Sequence, residues 1–227
     1  MPDEPMVHWF PPRQGLWPPM RVAGQFLLRH AWGPFYGLRV EGREHLPESG
    51  GVLLVGNHPA DVDPPFLATA CLPRDLRFIT HSRHFEKRAF SALLFSVGAF
   101  PLRVDRLDTR AIRYARDELA AGSVVGIFPE GQASERRELL PFHDGMGYLA
   151  LEPGVTVVPT AIWGTLDLFR GRRPSGRGPV VVRFGPGISA PAKGSRKARA
   201  REVTERAREA LDALVDEAVE DVEDVRA

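Results

Sequence analysis

Residues 51–67 read GVLLVGNHPADVDPPFL. The run Val52-Leu53-Leu54-Val55 is apolar without alternation, the pattern of a strand covered on both faces. It stops at Gly56-Asn57-His58, and Asp63-Pro64-Pro65 then supplies a helix start, since proline is tolerated in a first helical turn. A strand that hands on to a helix through a turn is the building unit of an α/β domain. The same pattern recurs downstream. LRFIT (76–80), VGAFPL (97–102), SVVGIFP (123–129), VTVVPTAIW (155–163) and VVVRFG (180–185) are strand candidates, and residues 85–97 and 109–121 read as crossover helices. The alternation predicts a single α/β domain whose mostly parallel sheet is flanked by helices. In such sheets ligands sit at the carboxyl ends of the strands, so the residues just past those ends are the candidates for chemistry.

The two ends of the chain read differently from this middle. Residues 1–19 carry six prolines and predict an extended arm. Met20, Ala23, Leu27 and Ala31 then fall at helical spacing, with Phe26, Trp32, Phe35 and Tyr36 nearby and Arg13, Arg21, Arg29 and Arg39 around them. Aromatic residues beside arginines suit a helix lying in a membrane interface, and equally an amphipathic helix lying on the domain. Residues 1–37 are therefore set apart as a proline-rich arm and amphipathic segment, and 38–227 as the folded domain. At the other end Val203, Ala207, Leu211, Leu214 and Ala218 repeat at helical spacing. That helix is basic first and acidic later, against its own dipole, so contacts with the sheet are expected to hold it. A loop with flexible composition, GRRPSGRGP, spans 171–179.

Composition narrows the function. The 227 residues are 43% hydrophobic and 26% charged, with a formal net charge of +1, which gives no basic excess for nucleic-acid binding. The single cysteine, Cys71, lies in an apolar run and reads as a packed thiol in a reducing compartment. The start, MPDEPMVHWFPP, lacks the basic-then-apolar order of a signal peptide, and no stretch of 18 apolar residues appears. The expectation is a cytoplasmic domain with surface membrane contact left open.

His58 and Asp63 are five residues apart. A turn between them could bring the carboxylate to one imidazole nitrogen and leave the other free to accept a proton from a hydroxyl, a serine-protease-like pair without the serine. Other readings stand beside this one. Asp63 before Pro64 would also serve as an N-cap, His58 as a satisfied strand-end histidine, and His58, Asp61 and Asp63 as metal ligands. Three further stretches add to it. Glu130 follows a strand in GIFPEGQAS beside Gly131; Arg103 and Arg106 follow another in GAFPLRVDR and are candidate anion contacts; Pro159 interrupts VTVVPTAIW and predicts a bulge or an edge near the site.

Taken in order, these blocks resemble the PlsC-like glycerolipid acyltransferases, which include the 1-acylglycerol-3-phosphate acyltransferases. Asn57-His58 with Asp63 is similar to the family's first block, Phe128-Pro129-Glu130-Gly131 with Ser134 to the third, and Val158-Pro159 to the fourth; Leu140-Pro141-Phe142 with Gly145 also fits. The resemblance covers roughly residues 38–190. It implies attack of an acceptor hydroxyl on an acyl thioester, acyl-CoA or acyl-carrier protein, without a covalent enzyme intermediate, metal or prosthetic group. His58 would be the general base and Asp63 its partner. Asn57, Glu130, Gly131, Ser134 and Pro159 would form the substrate-binding set, with Arg103 or Arg106 on a phosphate. The lipid acceptor implies a peripheral position at the inner membrane face.

The sequence departs from the family pattern where an acceptor phosphate would be held. Val104 stands where the second block has arginine, Gln132-Ala133 where Thr-Arg is frequent, and His143 where lysine is usual. Arg136 and Arg137 are the residues that could compensate. The departures predict an acceptor other than lysophosphatidic acid. An acyl-thioester hydrolase and a membrane-surface lipid binder without turnover are the alternatives, and the absence of a Gly-x-Ser-x-Gly elbow disfavours a serine esterase.

Overall fold

The computed structural model describes residues 27, 30, 33–86, 94–95, 98–103, 108–134, 139–169 and 180–224. Most of the N-terminal arm and amphipathic segment, Arg106, Arg136, Arg137 and the 171–179 loop lie outside the described residues. So does most of the helix expected over 85–97, of which Phe85 closes a 3-10 turn, Ser82–Phe85, and 94–95 are helical.

The strands are β1 (Arg39–Glu41), β2 (Val52–Gly56), β3 (Leu76–His81), β4 (Ala99–Leu102), β5 (Val124–Ile127), β6 (Thr156–Trp163), β7 (Val181–Phe184) and β8 (Ile188–Ser189). They form one sheet ordered β1-β7-β6-β2-β5-β3-β4, with β8 also on β6. Pairing is parallel except where β7 and β8 meet β6. The helices between are α1 (Asp63–Cys71), α2 (Thr109–Ala120), α3 (Gly145–Ala150), α4 (Thr165–Phe169) and α5 (Arg196–Asp224). The α/β architecture read from the sequence is the one observed.

β2 shows why its sequence has no alternation. Val52 and Leu54 pack with Phe66, Val158 and Ile162 on one face, while Leu53 and Val55 pack with Val157, Leu211 and Leu214 on the other. All four are 0% exposed, each contributing about 1.5–3 kcal/mol of apolar burial. α5 lies across the second face, with Val203, Ala207, Leu211, Leu214 and Ala218 all buried. The helix that runs against its own dipole is thus held by packing, as expected.

Two expectations change. β6 is interior, between β2 and β7, so of the bulge or edge expected at Pro159 the edge is excluded and the bulge is found: Val157 faces Ile188 and Thr160 faces Phe184, with one more residue between them on the partner segment than on β6. Its carbonyl accepts from Gly185 N–H, and its donor-less nitrogen falls where β6 passes from pairing with β8 to pairing with β7. No ladder bond is lost there, and this lets proline occupy a central strand. Asp63 is also no helix cap: Val62 holds the N-cap position without a side-chain bond, and Asp63 opens the helix with its carboxylate turned elsewhere. Cys71 is fully buried in α1, and burial pushes its thiol up to about 12, which makes it an inert packing group.

Candidate active site

β2 ends at Gly56, while its parallel neighbour β6 continues to Trp163. Beyond Gly56 the main chain of β6 has lost its partner on that side, and the next side chain takes the strand's place. Asn57 Nδ2 donates to Ile162 O at 3.0 Å, and Ile162 N–H donates to Asn57 Oδ1 at 2.7 Å. Asn57 was expected in the substrate-binding set; it is instead a buried clamp that fixes where the chain leaves the sheet.

His58 follows directly. Both of its main-chain groups are taken by the loop after β5: His58 N–H donates to Glu130 Oε1 at 3.2 Å, and Ser134 N–H donates to His58 O at 2.8 Å. The loop pairs with this one residue as a strand would. Its own turn is closed by Gly131 N–H donating to Phe128 O, with Gly131 at φ +74°, a conformation glycine adopts without strain. The Phe128 ring stacks on the imidazole at 4.1 Å between centroids and 9° between planes. Main chain and ring face are both fixed, so the imidazole has one orientation.

The turn at 59–62 then returns the chain to α1. His58 Nδ1–H donates to Asp63 Oδ2 at 2.8 Å, and the same oxygen accepts from Ala60 N–H at 2.9 Å. Asp63 is 0% exposed and the His58 side chain 14%. His58 Nε2 has no hydrogen-bond partner among the described residues. Burial pushes the Asp63 carboxyl above its ordinary range, opposed by His58, by the Thr165 hydroxyl and by Ala60 N–H. Among the described residues no group of three His, Cys, Asp or Glu side chains is placed to hold a metal ion, so the His58–Asp61–Asp63 metal reading finds no support.

Glu130 is buried, and its second oxygen accepts from Leu140 N–H at 2.9 Å. Burial raises its carboxyl as well, against the two N–H donors and the nearby His58, with Asp63 adding to the rise. The side chain therefore ties His58 to the 139–143 segment and does not reach outward. That segment brings His143 against Gly131, where an added Cβ would lie 2.8 Å from His143 Nε2. Gly131 is exposed at this lip. Pro159, also expected in the site, is buried within β6 beside Gly185 and Leu214. Arg103 follows β4 directly, its N–H donating to Asp108 Oδ2. β4 lies three strand spacings from β2, about 14 Å along the carboxyl edge.

His84 escaped the sequence reading. It follows β3 in the turn Ser82–Phe85 and lies close enough to Asp61, His81 and His58 to feel their charge. Burial, then the Arg83 guanidinium, holds its imidazole below the usual range, and Asp61 opposes. The available signal was its place just past a carboxyl strand end, in HSRHF.

Residues 37–163 match the family model described as Acyltransferase. A 1-acyl-sn-glycerol-3-phosphate acyltransferase of Chlamydomonas reinhardtii is 32% identical over 165 residues, 69% of this chain and 48% of that protein. One of Bacillus subtilis is 27% identical over 128 residues, 56% of this chain and 63% of that protein. The chain spans about half or less of the length of its first curated relatives, 37% in the case of a chloroplastic enzyme of Arabidopsis thaliana with the same activity in its name. Among solved structures, that of the 1-acyl-sn-glycerophosphate acyltransferase PlsC of Thermotoga maritima superposes with a TM-score of 0.62 at 23% identity, covering 86% of this chain and 78% of that one.

Proposed function

The chain belongs to the PlsC-like acyltransferase family, and from that premise we propose that it transfers a fatty acyl group from an acyl thioester, acyl-CoA or acyl-carrier protein, to a hydroxyl of a lysophospholipid or related lipid. The observation that carries this reading is the 2.8 Å bond from His58 Nδ1 to the buried Asp63 carboxylate, which leaves Nε2 as the basic atom. In the proposed step, Nε2 takes the acceptor's hydroxyl proton as the acceptor oxygen bonds to the thioester carbonyl carbon. The tetrahedral adduct then collapses, the C–S bond breaks, and the imidazolium returns the proton to the departing thiolate. Asp63 stabilises the imidazolium in between. General base catalysis of this kind supplies about 10²–10⁴-fold. The mechanism draws on no metal or prosthetic group.

Glu130 contributes by holding His58 and the Leu140 segment in register. Gly131 and His143 form the lip past which the acceptor enters, and Arg103 or Arg106 is the proposed contact for a phosphate on an acceptor that bears one. The relatives' names support a lysophospholipid-like acceptor, and the enzyme is proposed to act as a peripheral protein at the cytoplasmic face of a membrane.

The test is a radiolabelled acyl-thioester assay across lyso-lipids and simpler alcohols, separating ester product from free fatty acid. Ester formation lost in His58→Ala is the expected result. Free fatty acid as the sole product makes the enzyme a hydrolase. Across that panel, lysophosphatidic acid is expected to give less than the highest kcat/KM, given Val104, Gln132 and His143; should it rank first, those departures carry no specificity.

A further inference from the structure

Asp63 is wholly enclosed, yet hydrogen bonds account for only one of its oxygens. Oδ2 accepts from His58 and Ala60. Oδ1 is buried without a partner at bonding distance. The Thr165 hydroxyl is in the same condition: the residue is 0% exposed, and Oγ1 is buried and unbonded. The two groups are neighbours, because the Thr165 side chain is among those that stabilise the ionised Asp63. The hydroxyl is thus a near neighbour of the carboxylate with no full hydrogen bond to it.

Local structure explains how Thr165 arrives there. The Asn57–Ile162 clamp fixes the end of β6 against the end of β2. His58 lies one residue beyond the clamp on one chain, and Thr165 three residues beyond it on the other. Gly164, at φ +89°, turns β6 into α4 so that Thr165 opens that helix. The base, its partner and the hydroxyl are therefore suspended from one pair of hydrogen bonds.

We propose that Thr165 is a positioning residue for the pair: its hydroxyl donates to Asp63 Oδ1, keeps Oδ2 aligned on His58 Nδ1, and closes into a full hydrogen bond as the imidazolium forms. This rests on the reading of His58 as general base. An enclosed carboxylate lacking a donor on one oxygen is costly to keep ionised, and that cost falls when a hydroxyl turns toward it. The other charged groups bearing on the pair are Glu130, from the loop after β5, and His84, from the turn after β3 with Asp61, Arg83 and His81 around it.

The experiment compares Thr165→Val and Thr165→Ser with the wild-type chain. Valine keeps the shape and removes the donor. It is expected to lower kcat about tenfold or more, the scale of one hydrogen bond to a charged group, with KM unchanged. The acid limb of kcat/KM should move to higher pH, because Asp63 without the donor protonates more readily. Serine should restore both. A residue with a merely structural role would change the melting temperature and leave the acid limb where it is. Should Thr165→Val not fold, Thr165→Ala against Thr165→Ser gives the same contrast. Wild-type kcat with an unmoved acid limb in the donor-less variant, or equal losses in it and in Thr165→Ser, overturns the proposal. His58→Ala run in parallel separates the two levels. Its inactivity beside an unaffected donor-less variant removes Thr165 alone, whereas an active His58→Ala removes the base assignment and the proposal with it.

Discussion

At the scale of single residues, Asp63 serves the imidazole at a cost to the fold. Its carboxyl is raised by burial, so the folded chain binds that proton more tightly than the unfolded chain does. The stability this contributes is full below the ordinary carboxylate range, near pH 4, and is lost as pH rises through the raised value. Asp63→Asn lacks the titration. In a His58→Gln background, which removes the imidazole's own titration, Asp63→Asn should gain stability relative to Asp63 as pH rises from about 4. Melting curves across that range check the sign, and a difference that stays flat or shrinks refutes it. Activity moves the other way. Asp63→Asn and His58→Ala should each lose about two or more orders of magnitude in kcat, and the double variant little more, because groups acting as one unit are not additive. Near-normal turnover in Asp63→Asn would leave the carboxylate without its proposed role. The pairing was legible in the sequence because the two residues are five apart and a turn closes that distance. The tasks of Asn57 and Glu130 were not, because each bonds main-chain atoms far along the chain: Ile162 for Asn57, His58 for Glu130. Motif positions marked that these residues matter and gave no sign that they bond backbone.

At the scale of elements, apolar runs located six of the eight described strands and helical spacing the buried stripe of α5, since both patterns follow from what each face touches; β1 and β8, three and two residues long, are too short to carry such a pattern. Pro159 marked the bulge opposite it and not an edge, because a missing donor is costly only where the neighbouring strand offers an acceptor, and the gap between β7 and β8 cannot be seen in the sequence of β6. Buried charge was also illegible. Arg77 on β3 and Glu118 on α2 form an ion pair at 3.4 Å with side chains 10% and 4% exposed, and Ser123 Oγ donates to Glu118 as well. Removing one partner leaves the other charge enclosed. Arg77→Met should therefore cost about 3–5 kcal/mol in denaturant unfolding. Arg77→Met with Glu118→Gln should recover a large part of that loss, since the amide oxygen can still accept from Ser123. Additive losses in the double variant would mean that the two side chains stabilise the fold independently.

At the scale of the whole molecule, the question is how a protein with no membrane-crossing helix among its described residues would reach the lipid acceptor proposed for it. The site lies at the carboxyl edge of the sheet, just past β2 and β5. The chain that precedes the domain connects to that region: Tyr36 packs edge-on against Phe66 of α1, the helix that Asp63 opens, while Phe35 beside it is 56% exposed. N-terminal to this point stand Trp9, Phe10, Trp17, Phe26 and Trp32 among arginines. Such aromatic side chains favour the headgroup region, and arginines add attraction to anionic lipid. A segment anchored there would hold α1, and with it the His58–Asp63 pair, near the surface where lyso-lipids reside. The full chain is expected to float with liposomes containing anionic phospholipid. Replacing Trp9, Trp17 and Trp32 together by serine should reduce flotation. It should also raise KM for a bilayer-embedded acceptor while leaving kcat on a short-chain, water-soluble acceptor unchanged, because the chemistry does not use those residues. Equal flotation of the variant and the wild type would move the contact to another surface. A loss of kcat on the soluble acceptor would show that the segment supports the fold of the site rather than its delivery to lipid.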